Sequence, residues 1–143
     1  MKKFIISFIL LSIFFGTPLM ASPIEVKVKK FVDGDTFEIE SENFIKIPGL
    51  GLAIRVNGMD TPEKGGRAKC KSEADLSKQA SEATKSILSN AKKIEIDNYH
   101  WDKFGGRIVA DVFADGVLLS KQIIDEHLAK PYFGKKKESW CSI

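Results

Sequence analysis

The chain is poor in the residues that hold soft metals. Its 143 residues include only two cysteines, Cys70 and Cys141, and two histidines, His100 and His127. Neither histidine stands at a ligand spacing from a cysteine, which argues against zinc. An excess of one charge is also missing. Without Lys2 and Lys3, 20 basic residues face 19 acidic ones, so the basic pI carries no general affinity for a polyanion. What remains are local clusters, "KVKK" (27–30), "KGGRAKCK" (64–71) and "GKKK" (134–137), each of which reads first as solvated surface lysines. There is no internal repeat, low-complexity tract or long linker. The longest apolar run, Phe4 to Phe15, is broken at Ser7 and Ser12 and falls short of the roughly 20 residues that span a bilayer.

That run has another use. It follows Lys2 and Lys3, ends before Pro18, and leads to the small-residue stretch "LMAS" (19–22). This is the layout of a secretory signal peptide over residues 1–21, cut after Ala21, with an uncleaved interfacial anchor as the alternative. The expected mature chain, residues 22–143, suits one domain with one core. Export also changes the reading of the two cysteines, because an even pair in an oxidising compartment predicts a Cys70–Cys141 disulfide. The bond would tie a tail that otherwise frays to the start of a helix; the alternative is two buried free thiols.

Period-2 alternation in "IEVKVKKFV", "FEIE", "FIKI" and "LAIRV" predicts an early β-meander, with "DGDT" (33–36) as a turn. Asn57-Gly58 reads as a bulge or close approach within one strand, since only Met59 and Asp60 follow before Thr61-Pro62. From Ser72 the period becomes helical, with Leu76, Ala80, Ala83, Thr84, Ile87 and Leu88 on one face and Ser72/Asp75 as an N-terminal capping pair. "KKIEIDNYH" and "RIVADVFADG" are strands, and Leu118 to Lys130 forms a second amphipathic helix with Leu119, Ile123, Ile124 and Leu128 inward. The sum is a small α+β domain around a compact closed sheet.

The chemistry gathers in "DGDT" and "IRVNGMDTPE" (54–63). Asp35, Asp60 and the carbonyl of Thr61 are hard oxygens suited to Ca²⁺ or Mg²⁺. Glu63 stands one step outside and could take a proton from water. Arg55 and Arg107 offer planar forks that match phosphate oxygens, and the glycines of "DKFGG" let a bulky substrate approach Arg107. Metal, base and two arginines together describe phosphodiester hydrolysis. Separately, each has a plainer reading: "DGDT" as a turn, "DTPE" as a helix start, Arg55 as the partner of a carboxylate on the next strand.

The conjunction resembles the staphylococcal nuclease (thermonuclease) family, from "KVKKFVDGDTFEIE" through "IRVNGMDTPE" and "DKFGGRIVADVFADG" to "HLAK". The resemblance implies a mainly β, five-stranded OB-type Greek-key barrel with two packed helices. It implies a calcium-dependent endonuclease that cuts DNA and RNA, preferring single strands, to leave 3′-phosphates, with a metal-bound or Glu-activated water as nucleophile. Residue by residue, it assigns the metal to Asp35, Asp60 and Thr61, the general base to Glu63 and the phosphate to Arg55 and Arg107. The expected protein is a monomer, periplasmic or secreted, with no stable membrane association after signal cleavage. Lys103, Phe104, Tyr132 and Phe133 match the family's nucleotide-contacting positions loosely, since "DKFGGR" has one glycine more than the usual Asp-Lys-Tyr-Gly-Arg. A non-catalytic nucleic-acid-binding barrel, another exported phosphoester hydrolase and an envelope-interaction protein are the alternative functions.

Overall fold

The structure is a computed structural model that describes residues 22–40 and 51–141. The expected signal peptide and the "FIKI" strand lie outside the described residues. In chain order the strands are β1 (Ile24–Glu25), β2 (Val28–Phe31), β3 (Thr36–Glu40), β4 (Gly51–Val56) and β5 (Gly58–Asp60). Helix α1 (Lys71–Asn90) follows, then β6 (Ile94–Trp101), β7 (Arg107–Ala114), β8 (Val117–Leu118), helix α2 (Leu119–Asp125) and β9 (Lys130–Tyr132).

The main sheet runs β1-β6-β7-β4-β3-β2, with β8 pairing on β7. Its two edges, β1 and β2, are separated in the chain by only Val26 and Lys27. Val26 N–H donates to Ile94 O at one edge and Lys27 O accepts from Glu40 N–H at the other, so one stretch of chain joins both edges. The sheet therefore curls round on itself, and β1 with β2 acts as one bent strand. Counted this way, with the β8 stub set aside, five strands remain, as an OB-type barrel requires. The parallel β4–β7 pairing needs a long crossover, which α1 and β6 provide.

The alternation of the strands gives the curled sheet an apolar inner face. In β7, Ile108, Ala110, Val112 and Ala114 point into the core while Arg107, Val109, Asp111 and Phe113 do not. Phe37, Ile39, Ile54, Val56 and Ile96 fill the same interior, and Leu119 and Ile123 of α2 and Leu88 of α1 cover it. The stripe that α1 buries is Glu73, Ser77, Ala80, Thr84 and Leu88. Leu76, Ala83 and Ile87, expected on that face, are only half-buried.

Three local expectations need correction. Asn57-Gly58 is not a bulge within one strand. The chain turns there, with Gly58 at φ 79°, and passes from β4 into β5, which pairs with β9 in a separate two-stranded sheet. Ser72 does not cap α1. The helix starts at Lys71 with Cys70 in the cap position and no side-chain cap bond. Finally, α2 stops at Asp125 rather than reaching Lys130. His127 adopts φ 59° and Leu128 N–H closes on Ile123 O at 3.1 Å, a left-handed helix ending. The apolar spacing continued past Asp125 because Leu128 and Ala129 still pack inward after the turn.

Candidate active site

The turn between β2 and β3 carries Asp35 into contact with Thr61 at the end of β5 and Asp33 to within 3.5 Å of Arg67. Gly34 is required there by crowding: a Cβ on it would meet Thr61 Cγ2 and Oγ1 at 2.9 Å and Ala80 Cβ at 3.0 Å. Thr84 of α1 donates its hydroxyl to Gly34 O at 2.6 Å, which pins the turn onto the helix. Asp35 is thereby buried against Thr61. Its Oδ2 accepts from Thr61 N–H at 3.1 Å and from the Thr61 hydroxyl at 3.0 Å, and its Oδ1 accepts from the Thr36 hydroxyl at 3.0 Å.

Arg55 faces these groups from β4. One η-nitrogen lies 3.1 Å from Asp35 Oδ2 and the other 3.5 Å from Asp60 Oδ1, with its side chain 10% exposed. Nη1 also donates to Val56 O at 3.0 Å. The plainer reading of Arg55 is thus present: it pairs with the carboxylate beside its cross-strand neighbour Thr36. Asp60 Oδ1 has ion-pair neighbours but is buried without a hydrogen bond that satisfies it. Lys137 Nζ approaches it to 2.8 Å, a distance of electrostatic contact without hydrogen-bond alignment. A buried carboxylate oxygen left in this condition favours a cation beside it. With Asp35 and Thr61 adjacent, the donors are all hard oxygens and fit a hard divalent ion.

Glu63 stands at the mouth, half-buried. Lys137 Nζ is 3.0 Å from its Oε1 and Arg67 Nε 3.2 Å from its Oε2, while Arg67 also reaches Asp33 at 3.5 Å. Burial, and then the neighbouring charge of Asp35, pushes the Asp33 carboxyl above the usual carboxylate range. Burial alone would pull the Lys137 ammonium down, but its contacts with the carboxylates of Asp60 and Glu63 more than offset this and hold it up. The backbone of the "DTPE" loop is fixed from below by Glu73, whose carboxylate accepts Glu63 N–H at 3.2 Å and Lys69 N–H at 2.7 Å.

Arg107 enters from the start of β7, beyond the Asp102–Gly106 turn in which Gly105 and Gly106 have φ 73° and 75°. Asp102 Oδ2 accepts from its Nε at 2.6 Å and Asp102 Oδ1 accepts from Phe104 N–H at 3.2 Å. The Arg107 bond, and with it the Phe104 N–H, holds the Asp102 carboxyl below the usual range against a smaller opposing effect of burial. Arg55, Arg107 and Lys137 line both a polar cavity of about 140 Å³ around Asp35, Thr61 and Glu63 and a larger cleft of about 470 Å³. The cleft is walled by Trp101, Phe104, Tyr132 and Phe133, of which Phe104 and Phe133 are largely exposed.

Five of the six expected site residues line the polar cavity, and Asp60 is joined to it through its ion pairs with Arg55 and Lys137. The tail also converges, through the Cys70–Cys141 disulfide, whose Cα atoms are 6.0 Å apart. Cys70, Glu73 and Cys141 lie close enough to suggest a metal cluster, but both sulfurs are already bonded to each other and neither is a thiolate. Sequence reasoning missed Asp33, Arg67, Glu73, Asp102 and Lys137. Arg67 and Lys137 were hidden inside clusters that read as solvated surface. An i,i+4 spacing from Glu63 was the one signal available for Arg67.

An OB-like curled sheet thus brings carboxylate oxygens and two guanidinium groups to the mouth of an aromatic cleft. The family model described as staphylococcal nuclease homologue matches residues 53–140, and the chain belongs to that family. The match takes in Arg55, Asp60, Thr61, Glu63 and Arg107; Asp35 precedes it and is joined to the site by the fold. Membership brings a nuclease-family function, hydrolysis of phosphodiesters in nucleic acid, in a family that is typically metal-dependent.

Proposed function

We propose that this protein is a calcium-dependent endonuclease that cleaves DNA and RNA to 3′-phosphate products. The observation that carries the reading is the shared wall of the two cavities. Arg55 and Arg107 stand between a pocket of hard oxygens and a cleft lined with aromatic rings. A polynucleotide laid in the cleft would place a phosphate against the arginines and its bases against the rings. Stacking on such rings requires unpaired bases, which favours single-stranded substrates.

Asp35, Asp60 and the Thr61 carbonyl would hold the calcium. When bound, the ion supplies positive charge to the phosphoryl oxygens and to the attacking water. Glu63 is the proton acceptor. Its two ion pairs, with Lys137 and Arg67, hold its carboxylate at the mouth of the pocket. The water oxygen bonds to phosphorus, its proton passes to Glu63, and the bond to the 5′-oxygen breaks. The leaving oxygen takes up a proton, and the phosphate remains on the 3′ side. Arg107, fixed through Nε by Asp102, can offer its η-nitrogens to the charge that grows on phosphorus.

Export to the periplasm or medium as a monomer, after removal of residues 1–21, completes the proposal. The disulfide supports it, since such bonds persist in oxidising compartments. The test is cleavage of a long single-stranded oligonucleotide with calcium and with excess chelator, with the product ends assayed for 3′-phosphate. Calcium-dependent cutting is expected. Full cleavage in chelator would refute the calcium reading, and binding without cleavage would favour a non-catalytic barrel.

A further inference from the structure

The seat proposed for calcium has a cationic side chain of the protein itself leaning into it. Lys137 Nζ lies 2.8 Å from Asp60 Oδ1 and 3.0 Å from Glu63 Oε1. It comes from the tail, well outside the barrel strands that supply the other residues, and the tail is fastened on both sides of the site. Cys141 is bonded to Cys70 at the start of α1. Between them, Ser139 O accepts from Lys130 Nζ at 2.7 Å and the Trp140 ring lies under that same ammonium at 4.7 Å. The Tyr132 ring, 5.9 Å from Lys137 Nζ, supports the lysine from β9.

We propose that Lys137 is a tethered counter-cation that competes with the divalent ion for Asp60, so that the tail lowers metal affinity. This rests on the reading of Asp35, Asp60 and Thr61 as the metal seat. Asp60 is buried and its Oδ1 lacks a satisfying hydrogen bond, so a cation at that oxygen is favourable. A divalent ion on the same oxygen would stand within about 5 Å of the ammonium, where like charges repel even in a partly hydrated site. Of the two cations on Asp60, Arg55 is 10% exposed and bonded to Val56 O, whereas the Lys137 side chain is 46% exposed. Lys137 is therefore the one that can leave. Its flexible stem lets it do so while the tail stays fastened, and because it is tethered it is present at high effective concentration.

Calorimetric titration of calcium into the folded, disulfide-bonded protein tests this without reading activity. Lys137→Met should bind calcium more tightly than the wild type by up to about fivefold, the scale of one partly exposed ion pair. Lys137→Arg keeps a cation and should stay near the wild-type affinity. Lys136→Met, an equal change of charge on the exposed neighbouring residue, should also stay near it. Unchanged or weaker binding by Lys137→Met overturns the inference, as does equal tightening by Lys136→Met, which would show only the general field of the tail. Asp60→Ala separates the two levels of the argument. If wild-type binding is real and lost in Asp60→Ala, but Lys137→Met does not tighten it, the counter-cation fails alone. If neither wild type nor Lys137→Met binds calcium, the seat itself is wrong and the inference falls with it.

Discussion

Replacing Asp102 by asparagine should cost the protein rate more than fold. Asp102 Oδ2 accepts from Arg107 Nε at 2.6 Å while its Oδ1 accepts from Phe104 N–H at 3.2 Å. Asparagine keeps the size and one acceptor but loses the charge. The Arg107 side chain is 37% exposed, so solvent screens the pair and its loss should cost about 1 kcal/mol of stability or less. The effect on catalysis is larger because Asp102 aims Arg107. Deleting the guanidinium outright should lower kcat on the order of a hundredfold or more. Misaiming it should cost a part of that, about tenfold, because transition-state contacts are sensitive to small displacements. Steady-state cleavage of a fluorescent oligonucleotide by Asp102→Asn, Arg107→Ala and the double variant checks this. The double variant should be no slower than Arg107→Ala alone, since Asp102 acts only through Arg107. Losses that multiply would refute the reasoning. Acidity offers a second check. The folded carboxyl is depressed, so its stabilisation is fully present above the unfolded pKa near 3.9 and is lost as pH falls through the lower folded value. The stability difference between wild type and Asp102→Asn should be constant at neutral pH and should shrink in that acidic window.

Glu63→Gln should lower kcat while calcium binding, followed calorimetrically, persists; an unchanged rate would move the proton to another acceptor. Arg55→Ala and Arg107→Ala should each reduce kcat on the order of a hundredfold. Only Arg55→Ala should also lower the melting temperature substantially, because it strips the buried carboxylates Asp35 and Asp60 of a partner, a loss of about 3 kcal/mol or more. Gly34→Ala should weaken calcium binding and stability together, since its methyl group would meet Thr61 at 2.9 Å; wild-type calcium affinity in this variant would show that the turn yields freely. The Cys70–Cys141 bond spans a sequence separation of 71, so reduction should remove about 4 kcal/mol of stability in the chain-entropy model. Two alkylatable thiols in the native, non-reduced protein would show that the bond does not form.

Where the fold was legible in the sequence, the reason was that one physical rule decided the matter. Period-2 alternation placed β3, β4, β6 and β7, and Asp115-Gly116 marked the turn after β7, where both residues take positive φ. The errors fall where two rules compete. At Asn57-Gly58 a strand leaves one sheet for another, and the partner that receives it, β9, lies more than seventy residues further along the chain. At Ser72 a local capping pattern was misplaced, because the helix begins at Lys71 with Cys70 in the cap position and Ser72 falls inside its first turn. At α2 the apolar spacing could not tell a continuing helix from a left-handed turn that keeps Leu128 inside.

The site divides along the same line. Asp35, Arg55, Asp60, Thr61 and Glu63 lie within thirty residues of one another, as do the Asp102 and Arg107 of the second cluster, and the parallel pairing of β4 with β7 sets the clusters side by side. Except for Asp102, their chemistry could be read because each residue type is costly to place at the end of an apolar strand without a use for it. Lys137 could not be read this way. A lysine in a "GKKK" run has a cheaper explanation, solvation, and 74 residues separate it from Glu63. What distinguishes it is a covalent bond four residues later. With Cys141 fastened to α1, the end of the chain must pass the mouth of the site, and one of its lysines is held against Asp60 and Glu63. The disulfide is therefore more than a staple for a fraying end. It decides which of several interchangeable surface lysines becomes part of the electrostatics of the site.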